Sequence, residues 1–294
     1  MTVAVGVLVA VLMVPVALSP AVTVPAAEAA VSAHAAGYLA LGDSITFGFR
    51  EGSTVPPPTY TDARSFVGYP EDIGAALGWR VVNAACPGET AASFIDVQAP
   101  SNGCERFATG GSAYRSSFPL HVKHRGPQLQ YAVGYLRAHP ETKLVSLMIG
   151  VNDFLACVTT TADHCASEHD EVLGKVSDDV AHILGTIRKS GRYTGQIVVV
   201  NYYPLHRANS LNNATLFDNT GVTQLNTAVD HAAIPYDVTV AHGQDAFESA
   251  ALHSGGDPCV AGLLTQLKDG GCGIHPSAAG QAVLALAVER VVRH

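Results

Sequence analysis

The stretch YLALGDSITFG, from Tyr38 to Gly48, changes character at its midpoint. Tyr38 to Leu41 is a short apolar run of the kind that fills a buried strand. Gly42, Asp43 and Ser44 follow, three residues that favour turns. A strand that ends in a turn carrying a serine has two readings. Ser44 caps the turn, or it does chemistry. The rest of the chain decides between them.

Four further apolar runs resemble the first: Arg80–Ala84, Lys143–Met148, Gln196–Asn201 and Tyr236–Ala241. Several are continuous rather than alternating, as expected of strands covered on both faces. Helical patterns lie between them at Tyr69–Leu77, Pro127–Ala138, Ser167–Lys189, Val222–Ala233 and Ser277–Arg293. Pro70 and Pro127 suit a first helical turn. Val172, Val176, Val180, Ile183, Leu184 and Ile187 share one helical face. Ser167 with Asp170 reads as a capping pair, and Glu168, Asp170 and Glu171 suit the positive end of that helix. Alternating strands and helices predict one α/β domain on a mostly parallel sheet. The polar stretches 50–64, 98–118, 151–166 and 253–274 read as loops. Ligands in such folds bind at the carboxyl ends of the strands. Ser44, Gly88 and Asn152 follow the first three strands there.

Composition sets the outer limits. The chain has 294 residues, 48% hydrophobic and 14% charged, a profile of a packed domain rather than a disordered one. Its net charge of −8 gives no electrostatic reason to expect nucleic acid or acidic lipid as a partner. The cluster Lys123-His124-Arg125 reads as a solvated patch. Residues 1–35 differ from the remainder: Val3 to Leu18 is almost wholly apolar, and Ala27-Glu28-Ala29 and Ala33-His34-Ala35 offer small-residue cleavage sites. This predicts a secretory signal peptide cut near Ala29 or Ala35, ahead of a domain spanning 36–294. No Lys or Arg precedes Arg50, so the usual basic start is missing. Pro15 and Pro20 interrupt a short apolar run, which argues against a stable membrane anchor.

Six cysteines fit three bridges in an oxidising compartment. Neighbour pairing gives Cys86–Cys104, Cys157–Cys165 and Cys259–Cys272, each closing a short polar segment. Fifteen pairings exist in principle. The rival reading is a metal site, because His164, His169 and His275 lie near cysteines. No spacing matches a paired C-x-x-C zinc pattern, and the chain carries no recognisable nucleotide-binding glycine pattern, so no metal and no cofactor is expected.

Four places carry the chemistry: Gly42-Asp43-Ser44, Pro87-Gly88-Glu89-Thr90, Gly150-Val151-Asn152-Asp153 and Gly273-Ile274-His275-Pro276. A serine hydroxyl becomes nucleophilic when a base takes its proton, and histidine does this near neutral pH. The oxyanion that forms needs fixed donors, which a glycine amide and an Asn side chain supply. Each block alone has a bland reading as a turn, a loop or a helix entry. Four such blocks at the ends of different elements do not.

On these blocks, and on VVNAACPGETAASF, LVSLMIGVNDF and CGIHPSAAGQA, the chain resembles the SGNH/GDSL hydrolase superfamily, closest to secreted, disulfide-containing actinobacterial esterases and lipases. The resemblance covers essentially everything after the leader. GDSIT does not match the G-x-S-x-G elbow of the α/β-hydrolases. The resemblance implies a three-layer α/β/α sandwich with a five-stranded, mostly parallel, flavodoxin-like sheet. It implies a monomeric secreted esterase or lipase that hydrolyses carboxylic esters, small or lipid, through an acyl-enzyme. Ser44 would be the nucleophile and His275 the general base, with the Ser44 amide, the Gly88 amide and the Asn152 side chain as oxyanion hole. Asp43 and Asp153 would hold turns. Many members carry an Asp three residues before the histidine, where this chain has Cys272. The group expected to orient His275 is therefore a backbone carbonyl at or near Cys272, with Asp269 the weaker alternative and Asp257 behind it. Phe47, Phe94 and Phe154 are candidates for an acyl pocket, though core is the favoured reading for them. The competing function is a carbohydrate- or lipid-binding module on an inactive hydrolase scaffold.

Overall fold

A computed structural model describes Met1 and residues 37–107, 110–204 and 219–293. The expected leader, apart from Met1, lies outside the described residues. The chain runs β1 (Gly37–Gly42), α1 (Ser44–Phe47), α2 (Tyr69–Leu77), β2 (Arg80–Asn83), α3 (Ala91–Ile95), α4 (Tyr114–Ser117), α5 (Gln128–Ala138) and β3 (Thr142–Met148). It continues through α6 (Val151–Thr160), α7 (His169–Lys189), β4 (Gln196–Val200), α8 (Asn219–Ala233), β5 (Val238–Ala241), α9 (Gly243–Ala251), β6 (Leu264–Gln266), β7 (Cys272–Pro276) and α10 (Ala278–Glu289).

Strands β1 to β5 form one sheet in the order β2-β1-β3-β4-β5, and every pairing in it is parallel. This is the flavodoxin-like order, with the ligand crevice expected beside β1 and β3 where the order reverses. Helices α2, α9 and α10 pack together on one side, and α3, α5, α7 and α8 on the other. Sandwiched between them, every residue of β1 is buried, as are Leu144, Val145, Leu147 and Ile197 to Val200. That double cover is why these strands read as unbroken apolar runs. Burying one Leu, Ile or Val side chain contributes about 1.5–3 kcal/mol, so these strands are a large part of what stabilises the fold. Among the described residues, no helix is long and apolar enough to cross a membrane.

Several local expectations are corrected. Helix α4 falls within the expected loop 98–118, and β6 and the start of β7 fall within the expected loop 253–274. Residues 151–160 are helical, not loop. The helix starts there because Gly150, at φ 125°, turns the chain sharply off β3, and a side chain at Gly150 would press on Val176. Tyr236 lies in a short 3₁₀ turn, and Asp237 at φ 51° delays β5 to Val238. Helix α7 begins at His169 without a side-chain cap, because the Ser167 hydroxyl instead donates to Asp163 Oδ2 at 2.5 Å. The six cysteines form Cys86–Cys104, Cys157–Cys165 and Cys259–Cys272.

Candidate active site

Strand β1 delivers the serine. Asp43 caps α1, accepting from the Ile45 amide at 2.9 Å, and Ser44 is the helix's first residue. Two residues upstream, Gly42 is gripped by a buried side chain from α5. Gln128 Oε1 accepts from the Gly42 amide at 2.7 Å, and its Nε2 donates to the Gly42 carbonyl at 3.0 Å. The same Nε2 donates to Glu89 Oε2 at 3.2 Å. Glu89 is itself buried, and burial pushes its carboxyl up to about 8 against hydrogen bonds from Ser93 and Gln128.

The hairpin β6–β7 delivers the histidine. Its pairing is antiparallel, and the Cys259–Cys272 disulfide ties β7 to the loop before β6. His275 Nε2 lies 2.9 Å from Ser44 Oγ. Its Nδ1 lies 2.8 Å from Glu51 Oε1. The partner at Nδ1 is thus Glu51, not the carbonyl of Cys272 and not Asp269. The Asp269 carboxylate instead accepts from the Gly271 amide at 2.9 Å within the hairpin turn. Asp257 is likewise occupied, accepting from the Cys259 and Val260 amides at 2.9 and 3.2 Å.

Glu51 is held from several directions. It accepts from the Ile274 amide at 2.8 Å and from the Thr265 hydroxyl at 2.7 Å. A side chain on Gly273 would collide with its carboxylate, so that glycine is what lets the acid approach the strand. Burial alone would raise the Glu51 pKa. The attraction of His275, with hydrogen bonds from its ring and from Thr265, outweighs burial and holds the carboxyl down at about 2. The Phe49 ring packs edge-on to the imidazole, with centroids 4.8 Å apart. Sequence reasoning missed Glu51 because it searched for the acid beside the histidine. One signal was available: Glu51 is the only acidic residue between Ser44 and Asp62.

Gly88 and Asn152 complete the surroundings of Ser44. Gly88 sits at φ 80°, where a side chain would strike the Asn102 carbonyl. Asn152, the second residue of α6, is buried, with Nδ2 3.4 Å from Asp43 Oδ2. Burial pushes Asp43 up to about 6, against a hydrogen bond from Tyr202, whose hydroxyl donates to Oδ2 at 2.5 Å, and one from the Ile45 amide. Asp153 accepts from the Ala91 amide at 2.9 Å and so anchors α3.

Ser44, Gly88, Asn152 and His275 border one cavity of about 210 Å³, whose other walls include Phe49, Phe107, Tyr114, Leu155 and Ile274. Phe47, Phe94 and Phe154 do not line it and are buried in the core. Among the described residues, Cys86, Glu89 and Cys104 form the one cluster with metal-ligand atoms. The two sulfurs there are bonded to each other, so the donor set does not suit a cation. His164 and His169 are not at the site. The His164 ring lies 3.3 Å from the Val158 carbonyl and the His169 ring packs on Phe154.

The profile of the GDSL-like lipase/acylhydrolase family matches residues 40–283. The chain belongs to this family. That membership makes it a carboxylic ester hydrolase of the esterase and lipase type. Solved structures agree in fold. Phospholipase A1 from Streptomyces albidoflavus superposes with a TM-score of 0.53 at 21% identity, covering 88% of this chain and 100% of its own. A candidate GDSL-like lipase from Parabacteroides merdae gives 0.52 at 14% identity, covering 87% and 94%. A catalytic mutant of Axe2, an acetylxylan esterase from Geobacillus stearothermophilus, gives 0.51 at 19% identity, covering 88% and 94%. No curated protein sequence matches the chain.

Proposed function

We propose that this GDSL-family hydrolase is a secreted serine esterase that works through an acyl-enzyme. One observation carries the reading: a hydroxyl, an imidazole and a carboxylate lie in a hydrogen-bonded line, Ser44–His275–Glu51, whose first two members line an apolar cavity. His275 Nε2 takes the Ser44 proton as Oγ attacks the ester carbonyl carbon. The carbonyl oxygen becomes an oxyanion held by the Ser44 amide, the Gly88 amide and Asn152 Nδ2. Collapse expels the alcohol, which receives the proton from His275. Water then attacks the acyl-enzyme with the same base, releasing the acid and regenerating Ser44. Glu51 keeps the proton on Nδ1 and offsets the imidazolium charge.

The apolar walls suit the acyl group rather than a sugar or a charged head group. Three disulfides and the apolar leader support secretion. A fluorophosphonate probe tests the reading. Labelling is expected on the wild-type chain and lost in Ser44→Ala, with ester turnover falling on the order of 10⁴–10⁶. Labelling that survives Ser44→Ala rejects the nucleophile. A chain that never labels and never turns over a short-chain p-nitrophenyl ester supports the inactive binding module instead.

A further inference from the structure

An Asn side chain donates to an oxyanion only if its amide faces the right way. The two ends of Asn152 have different partners. Its Oδ1 accepts from Asn102 Nδ2 at 2.9 Å, and its Nδ2 lies 3.4 Å from the Asp43 carboxylate. Turning the amide over would set oxygen against carboxylate on one side and NH₂ against NH₂ on the other. The hydrogen bond to Asn102 is the shorter of the two. Asp43 Oδ2 also accepts from the Tyr202 hydroxyl at 2.5 Å. Asn102 on one side and Asp43 on the other together determine which atom Asn152 presents.

Asn102 also touches the second proposed donor. Its own amide donates to the Gly88 carbonyl at 2.8 Å, and its carbonyl occupies the space a Gly88 side chain would need. The Cys86–Cys104 disulfide joins the same two segments. One residue on a loop outside the four sequence blocks thus connects the glycine amide to the asparagine side chain.

We propose that Asn102 is a positioning residue that fixes the amide of Asn152 with Nδ2 toward the oxyanion and sets the Gly88 turn beside it. This rests on the serine-esterase reading above. The substitution that exposes it is Asn102→Asp, which has the same shape but puts an acceptor opposite Asn152 Oδ1. Asn152 then turns its NH₂ to the new carboxylate and withdraws it from the site. Asn102→Ala removes the partner without reversing the preference, and it serves if the Asp variant folds poorly.

The experiment is steady-state turnover of a short-chain p-nitrophenyl ester, normalised to Ser44 sites titrated with fluorophosphonate. Asn152→Ala is expected to lower kcat by about 10²–10³. Asn102→Asp should approach that loss, and Asn102→Ala should show about a tenfold loss, with KM within about twofold in both. The decisive measurement is the double variant Asn102→Asp/Asn152→Ala. It should turn over no more slowly than Asn152→Ala alone, because the Asn102 side chain then has nothing left to position, and its backbone contacts to Gly88 are unchanged. Losses that multiply instead show that Asn102 acts on the substrate directly, and they overturn the proposal. Wild-type kcat in both Asn102 variants overturns it as well. A normal kcat in Asn152→Ala with Ser44 still labelling is a different failure, because it removes Asn152 from the oxyanion hole itself.

Discussion

The two halves of the site are built differently. The serine sits on a turn set into the core: β1 is wholly buried, Asp43 has no exposed surface, and Gln128 reaches across to hold Gly42. The histidine sits on a two-stranded hairpin outside the main sheet, stapled by Cys259–Cys272 and braced by Glu51. The proposed nucleophile is held by packing and a buried polar network. The proposed base is held by a covalent bond and one carboxylate. That carboxylate belongs to the segment just after the serine, so Glu51 is also the link that brings the two halves into register.

Short of removing Ser44 itself, the largest effect should come from cutting the link. Glu51→Gln keeps an oxygen for the His275 ring but removes the charge that offsets the imidazolium. We expect kcat to fall by roughly 10²–10⁴, with circular dichroism unchanged and KM little affected. Asp269→Asn should leave kcat near wild type, since that carboxylate only braces the hairpin turn. A severe loss in Asp269→Asn alongside a mild one in Glu51→Gln would reverse the assignment of the acid.

The same contrast explains what the sequence revealed. The serine half was legible because its logic is local: an apolar run, then a turn. The ends of the strands put Gly88 and Asn152 on the same edge of the sheet as Ser44, and the resemblance to the SGNH/GDSL hydrolases supplied the roles expected of them. The histidine was legible as a residue but its partner was not. Glu51 and His275 are 224 residues apart, and no period or cap in the intervening chain connects them. Gln128 and Asn102 were invisible for the same reason. Each acts through a side-chain contact between elements distant in sequence, and their residue type, a common polar amide, gives no warning. Helix α6 was misread as loop because a glycine at its start and a polar end obscured a short apolar face.

Removing the staple should show how far the hairpin depends on it. Replacing Cys259 and Cys272 by Ala together is expected to lower stability by about 3 kcal/mol, the scale for a bridge closing a short loop. Fluorophosphonate labelling of Ser44 should slow at the same time, because the hairpin that carries the base loosens while the sheet does not. A variant that loses stability but labels at the wild-type rate would mean that Glu51 alone is sufficient to place His275.

The halves should also respond oppositely to pH. Glu51 is held down at about 2, so its stabilising contribution is present above its usual range, near 4.5, and is lost as pH falls through 2. Asp43 and Glu89 are pushed up to about 6 and about 8 by burial. Between their ordinary values and these raised ones the folded chain binds more protons than the unfolded chain, so stability falls as pH rises. Each pKa unit corresponds to about 1.4 kcal/mol, which sets a scale of a few kcal/mol for Glu89. Tm should therefore decline between pH 5 and pH 8.5, and Glu89→Gln should flatten that decline. A Tm that climbs across this interval contradicts the buried network as described.

A smaller effect, that of Gln128→Met, bears on the core-held half alone. Methionine matches the side chain in length and fills the space but removes three hydrogen bonds at once. The Gly42 carbonyl keeps the Cys86 amide as a donor at 3.1 Å, so it is not orphaned. The Gly42 amide is left without its acceptor in a buried setting, which costs about 1–3 kcal/mol. Glu89 loses the Gln128 donor that favours its charged form, so its pKa should rise further and the pH-dependent fall in Tm should steepen. Because Ser44 lies just beyond Gly42, kcat should drop by a few-fold with the His275 hairpin undisturbed, which the labelling-independent stability of Cys259–Cys272 toward mild reductant would report. If Tm and kcat both stay at wild-type values, the turn is held by the parallel strands alone and the polar network behind it is incidental to the placement of Ser44.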